Sequence, residues 1–307
     1  MWFWLALAAL LCWSGSDLFS KIGCRDGSDK YGHLKMVMAV GVVMGLHACW
    51  EIFVGGTEIN LDILLTYLPV SLLYILSMAM GYLGLRYIEL SISSPICNAS
   101  GALVALLAIL TLGDRYPTPV LLAIGLVCLA VIGLGVVEYQ EDDEARAARQ
   151  EVGNFRYSKS WLALALPVAY CVLDAAGTFA DSLVLDKLSL TYADYEASAN
   201  VAYELTFLLA GLICFLYVVV WKKDRLVPKM EAPKYIGACF ETVGQFAYIY
   251  AIADTAHLAM SAPMISAYCA ASVLWSRLFL REKLSWKHYL CILLAVIGIV
   301  IMGVFDV

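Results

Sequence analysis

Apolar residues in this chain gather into blocks of about twenty, separated by short polar stretches. Twenty residues at 1.5 Å rise is the length that crosses a bilayer core as helix. Ten such helices are predicted, at about 2–22, 33–53, 64–84, 94–112, 119–138, 160–182, 197–221, 234–253, 258–278 and 287–304. Gly-Asp-Arg-Tyr-Pro at 113–117 ends the fourth, and Pro228 and Pro233 bracket the connection before the eighth. One long charged stretch, 140–159, divides the chain near its midpoint into predicted units 1–139 and 160–307. The first block lacks a positively charged leader and runs into Ser14-Gly15-Ser16-Asp17 instead of a small-residue cleavage site. It therefore reads as a retained helix and not as a signal peptide.

Composition agrees with a membrane solvent. The 307 residues are 62% hydrophobic and 15% charged, with a mean hydropathy of +0.80. Soluble domains run to about 45–50% apolar and roughly 25% charged residues. Ten spans leave too little chain for a folded extramembrane head, and a DNA-binding regulator or a cytosolic enzyme is excluded with it. A net charge of −6 without a basic tract argues against nucleic acid as a partner. Of the ten cysteines, nine fall inside predicted spans and Cys24 in a loop. None forms a CxxC pair or a Cys/His cluster with zinc spacing, so they read as small packing residues and no metal is expected.

The basic residues orient the chain. All of the 20 except Arg115 and Lys187 lie in or beside the connections after helices one, three, five, seven and nine. The positive-inside bias puts those connections in the cytoplasm and both termini outside, in a multi-pass protein of the cell membrane.

The chain also repeats itself. Trp-Leu-Ala-Leu-Ala at 4–8 returns at 161–165, and at the same spacing Trp13 matches Tyr170 and Asp17 matches Asp174. Leu-Gly-Asp-Arg at 112–115 matches Leu-Arg-Glu-Lys at 280–283, and Leu-Ala-Val-Ile-Gly at 129–133 returns at 294–298. Three ordered matches predict two homologous halves of five helices. Because five is odd, the second half enters the membrane from the opposite side, so the expected fold is an all-α membrane protein built as two inverted five-helix repeats. In carriers that architecture places a substrate site near the midplane.

The stretch 10–21, with Trp13 followed eight residues later by Lys21, resembles the first-helix pattern of the EamA-like drug/metabolite transporters. Gly-Leu-Arg-Tyr-Ile-Glu-Leu-Ser-Ile-Ser-Ser-Pro at 84–95 is similar to their junction between helices three and four. The endings at 112–115 and 280–283 resemble their Leu-Gly-Glu-Arg/Lys pattern. The resemblance spans nearly the whole chain. It implies ten helices in two inverted halves and movement of small organic solutes, often by export. Two features depart from it: Ser100 stands at the family's usual helix-four proline, with Pro95 upstream, and Asp17 follows the tryptophan where the family is uncharged.

Charges placed in a bilayer are the sharpest functional signal, since one at a helix centre costs about 2.5–3.5 kcal/mol on insertion scales. Those predicted there are Asp17, His47, Glu51, Asp174, Asp181, Glu204 and Glu241. Asp17 and Asp174, at equivalent positions of the repeat, are expected to hold a cationic group, carry a proton or close inner and outer gates, or else to bond a neighbouring helix end. Glu196, Asn200 and Glu204 form an i, i+4, i+8 stripe that must line a water-filled cavity or pair inside the bundle. His47 and Glu51 are an i,i+4 pair, read as an interfacial pair or a proton relay. Helix four offers Ser94, Asn98 and Ser100, helix eight Glu241 and Gln245, and helix nine His257, Ser261 and Tyr268. Each alone suits helix packing, and together they can orient a ligand in an apolar pocket. Trp13 and Tyr170 can wall a flat or cationic solute.

No Walker A, HExxH or GxSxG motif is present, and no catalytic residue or cofactor is expected. The expected function is a secondary transporter of a small organic metabolite or drug-like solute, working by alternating access and coupled to protons or to exchange. Its partners would be that solute and membrane lipid. The alternatives are a non-transporting sensor or assembly partner, and an intramembrane enzyme.

Overall fold

The computed structural model describes residues 1–24, 26, 28–85, 90–112, 116–140, 161–281 and 284–305, without the side chains of 90–92, 138–140 and 161–164. Among these residues the regular structure is entirely helical. In chain order the helices are α1 (Trp2–Cys24), α2 (Gly32–Trp50), α3 (Leu61–Gly84), α4 (Leu90–Asn98), α5 (Ser100–Thr111) and α6 (Thr118–Gln140). They continue as α7 (Trp161–Ser189), α8 (Tyr195–Phe215), α9 (Pro228–Ile252), α10 (Leu258–Ser266), α11 (Tyr268–Trp275) and α12 (Trp286–Val304). Wider π-helical turns prolong α2 over Glu51–Gly55, α8 over Leu216–Trp221 and α11 over Ser276–Leu280. The charged stretch predicted between the halves lies almost wholly outside the described residues, as do 86–89, 113–115, 282 and 283.

Among the described residues nine helical segments are long and apolar enough to cross a membrane, the pairs α4–α5 and α10–α11 each counting as one. Helix α9 is as long, at 25 residues, but carries Lys229, Glu231, Lys234 and Glu241 and falls short on composition. It starts earlier than the sequence suggests, because Pro228 opens the helix and Pro233 sits in its second turn. Proline at the first helical position lacks only an N–H that would have no partner there. Cys24 also departs from expectation, being buried in the last turn of α1 and not in a loop. Asn60 starts α3 by accepting the Ile63 N–H at 2.9 Å, and Ser285 with His288 forms a capping box at the start of α12.

Five helix pairings dominate, and each joins a helix before residue 140 to one after 160. They are α1 on α9, α2 on α8, α6 on α12, α3 on α7 and α2 on α9. The segment Thr255–Leu280, which contains α10 and α11, is 83% buried, against 22–50% for the other apolar segments, and so runs through the centre. Outward faces carry Leu46, Phe53, Leu110, Leu122, Leu129 and Leu293, all more than half exposed, as a lipid-facing surface requires.

Small residues set the close crossings. A Cβ on Gly41 in α2 would lie 2.7 Å from the Phe207 carbonyl oxygen and 3.0 Å from the Gly211 Cα in α8. Gly125 in α6 has nothing within 4 Å of such a Cβ. Gly41→Ala is therefore expected to destabilise the purified protein by about 1–3 kcal/mol. Gly125→Ala should leave the melting temperature unchanged or raise it, by up to about 1 kcal/mol. Equal melting temperatures for the two variants would contradict this packing.

At one end of the bundle a buried ion cluster ties four segments together. Asp29, before α2, is 2.9 Å from the Lys35 ammonium and 3.1 Å from that of Lys234 in α9. Glu231 reaches Lys234 at 3.1 Å and Lys35 at 3.6 Å, and Asp224 reaches Lys35 at 3.4 Å. The Asp29 and Lys234 side chains are 1% and 0% exposed. Burial pushes the Asp29 carboxyl up, but the hydrogen bond from Lys35 and the charge of Lys234 outweigh it and hold the group below the usual carboxylate range. Its contribution to stability is thus complete above about pH 4, the unfolded value, and is lost as pH falls through its lower folded value. Melting temperatures of the wild type and Asp29→Asn are expected to differ by a constant amount from pH 7 to 5 and to converge below pH 4. A gap that closes already at pH 6 would refute this assignment.

Candidate functional site

The broken helices define the centre. Helix α4 gives way to α5 at Ala99, and α10 to α11 at Ala267. Pro95 and Pro263 each stand four residues before the break, where a missing N–H and a bulky ring weaken the preceding turn. The proline at 95 thus occupies the same place relative to its break as Pro263 does. The interrupted helices meet through Gly101, whose Cβ would fall 2.3 Å from Ser266 Oγ and 2.9 Å from the Ala262 carbonyl oxygen. Only glycine allows that approach.

Around this crossing lies a cavity of about 80 Å³, room for roughly six waters at about 10–15 Å³ each. Helix α1 brings Trp13 and Asp17 to it, α4 brings Asn98, α7 brings Tyr170 and Asp174, α9 brings Glu241 and Gln245, and α11 brings Tyr268. Eight of the ten site residues expected from the sequence therefore converge on one space. Ser94 Oγ donates to Asp17 Oδ2 at 2.5 Å, and Ser272 Oγ to the same oxygen at 2.8 Å. Ser100 Oγ donates to Asp174 Oδ2 at 2.7 Å. Ser16 and Glu241 line the same space. Asn98 Nδ2 donates to the Ser94 carbonyl at 2.8 Å and so steadies the serine that serves Asp17. Trp13 packs at 4.9 Å between ring centres on Tyr248 and at 5.9 Å on Tyr268.

The other two expected residues, Glu204 and Asn200, are not on this cavity. Glu204 is fully buried between α2 and α8, where His47 Nδ1 donates to both of its oxygens at 2.8 and 3.0 Å and Asn200 Nδ2 donates at 3.1 Å. Of the two readings open to the stripe, the geometry is that of pairing inside the bundle. Glu51 stands 3.8 Å from His47 Nε2. His257 stacks on Trp2 and pairs with Asp254, well away from the cavity lining.

Sequence reasoning missed a tyrosine network beside the cavity. Tyr67 donates to Asp181 at 2.7 Å and Tyr74 at 3.2 Å, Tyr248 donates to Thr178 at 3.0 Å, and the Tyr74 and Tyr248 hydroxyls bond each other. Asp181 is 0% exposed. The available signal was Asp181 itself, since a carboxylate in an apolar helix obliges donors to come from elsewhere. Which tyrosines supply them depends on α3 lying along α7.

Residues 190–304 match the EamA-like transporter family. The chain carries an EamA-like transporter domain. That domain takes in Asn200, Glu204, Glu241, Gln245 and Tyr268, with α9 to α12 and both sides of the break at Ala267. A solved structure described only as a crystal structure of a protein shares the fold, with a TM-score of 0.63 over 99% of this chain and 96% of its own at 13% identity. No curated protein matches the sequence. The match agrees with the resemblance drawn from the motifs, and together with the nine helical segments of membrane-spanning length among the described residues it supports a multi-pass membrane protein.

The His47–Glu204 pair is expected to be structural. Replacing His47 by leucine strands a buried carboxylate, which for a fully buried pair costs about 3–5 kcal/mol and less where one partner is part exposed. Adding Glu204→Leu should recover at least half of the lost melting temperature. A double variant no more stable than His47→Leu would overturn that role.

Proposed function

We propose that the protein is a secondary transporter that moves a small organic solute by alternating access between two inverted five-helix halves. The first half is 1–139, the second 160–307, and 140–159 joins them. Ten helices span the cell membrane, with α9 as the eighth crossing and both termini outside. The observation that carries this reading is a polar cavity at the crossing of two interrupted helices, one before residue 140 and one after 160. Interrupted helices at a central site are the usual means by which carriers bring polar groups to bear on a solute.

Symmetry-like contacts support the inverted halves. Trp13 lies against Gly244, and Tyr170 against Gly81; a Cβ on either glycine would meet the ring at 2.4 Å and 3.0 Å. An aromatic residue of each half's first helix thus packs on a glycine of the other half's third. The pairing of α1 with α9 has its counterpart in α3 with α7, and that of α9 with α2 in α3 with α8. His47 and Glu204 stand 157 residues apart, the spacing of Asp17 and Asp174, so their bond sits where a twofold axis would cross. The carboxylates Asp17, Asp174 and Glu241 supply groups able to carry a proton or a cationic solute during coupling by protons or exchange.

The test is transport by purified protein in liposomes, loaded with a metabolite panel and followed under solute and proton gradients. Uptake or exchange of at least one solute is expected, with Asp17→Asn and Asp174→Asn each lowering its rate tenfold or more. A correctly folded protein that passes no member of the panel, or unchanged rates in both variants, would defeat the proposal.

A further inference from the structure

The charge inventory of the central cavity is one-sided. Asp17, Asp174 and Glu241 reach it from three different helices, and among the described residues no lysine, arginine or histidine lines it. Lys21, one turn along α1 from Asp17, is directed instead to the Leu85 carbonyl at 3.1 Å. Among the described residues the donors that reach Asp17 and Asp174 are the hydroxyls of Ser94, Ser272 and Ser100, which bring no counter-charge. Negative charge gathered in a low-dielectric bundle demands a positive partner.

The same cavity holds polar atoms with nothing to bond. Gln245 Nε2 and Tyr82 Oη belong to side chains 3% and 6% exposed and have no hydrogen-bond partner among the described residues. The Trp13 indole nitrogen is in the same condition, and it can only donate. Buried donors left unpaired are costly, so their presence on a cavity wall points to an acceptor carried by the occupant. Ring faces complete the lining and favour a cation near them. Among the described residues no three acidic, histidine or cysteine side chains are grouped as metal ligands would be, so the three carboxylates border the space from separate sides.

Resting on the transporter reading above, we propose that this cavity binds an organic amine in its cationic form that also carries an uncharged hydrogen-bond acceptor. The ammonium group lies among Asp17, Asp174 and Glu241. The acceptor, a hydroxyl or carbonyl oxygen, faces Gln245, Tyr82 and the Trp13 indole. A zwitterion fits less well, because its carboxylate would enter a site holding three others with no basic side chain to meet it.

Calorimetric titration of the purified full-length protein with four compounds of one shape decides the matter. They are phenylalaninol (cation and hydroxyl), phenethylamine (cation alone), 3-phenyl-1-propanol (hydroxyl alone) and phenylalanine (zwitterion). Phenylalaninol is expected to bind at least tenfold more tightly than 3-phenyl-1-propanol and phenylalanine, and severalfold more tightly than phenethylamine. Asp17→Asn and Glu241→Gln should each weaken it tenfold or more, and Gln245→Leu should remove its advantage over phenethylamine. Phenylalanine or 3-phenyl-1-propanol binding as tightly as phenylalaninol would overturn the proposal, as would the absence of amine binding to monodisperse protein. The ranking on the unaltered protein decides the ligand class even if a variant fails to fold. Should the ranking fail while liposomes still move another solute, only the ligand class falls; should no solute move at all, the transporter reading falls beneath it.

Discussion

A carboxylate inside this bundle has no bulk water to turn to, and its neighbours must supply every hydrogen bond it makes. That constraint organises the interior. Asp181 takes two tyrosine hydroxyls, Glu204 takes an imidazole and an amide, and Asp29 takes two ammonium groups. Each of these acids binds separate helices into one body, and each is closely matched. Asp17 and Asp174 are treated differently, receiving serine hydroxyls beside a cavity that Glu241 also lines. The contrast in donors separates acids that hold the bundle from acids that face a space within it.

The cavity exists because two helices are broken at its edge. A continuous helix satisfies its own backbone and offers lipid or protein only side chains. Pro95 and Pro263 weaken α4 and α10 four residues ahead of each break, and Gly101 lets the interrupted segments approach. The glycines facing Trp13 and Tyr170 admit large rings from α1 and α7 beside the same space. Bulky residues line the cavity because small ones stand opposite them.

Much of this was legible in the residue pattern. Long apolar blocks gave the helices, since hydrocarbon imposes a length that sequence can reveal, and of the misplaced charges Asp17, Asp174 and Glu241 lie on the cavity. The pattern did less well where partners come from distant segments. Glu204 and Asn200 share a face, yet that face says nothing of His47 across in α2, 157 residues away. Tyr67 and Tyr74 look like ordinary aromatic residues until α3 is laid along α7 beside Asp181. Helix α9 gave a softer signal because its charges serve an ion cluster at one end and the cavity further along.

The bonds at the cavity also suggest how an occupant would be felt by the rest of the chain. In the proposed two-half arrangement Asp17 is held by Ser94 from its own half and by Ser272 from the other, and Asp174 by Ser100 across the same divide. A ligand shifts a conformational equilibrium only through contacts that differ between the states. An ammonium group placed on these carboxylates competes with serines belonging to the opposite half. Binding would then exchange bonds between the halves for bonds to the solute. Under the proposed alternating access, the serine contacts would thereby link occupancy of the cavity to the freedom of one half to move against the other.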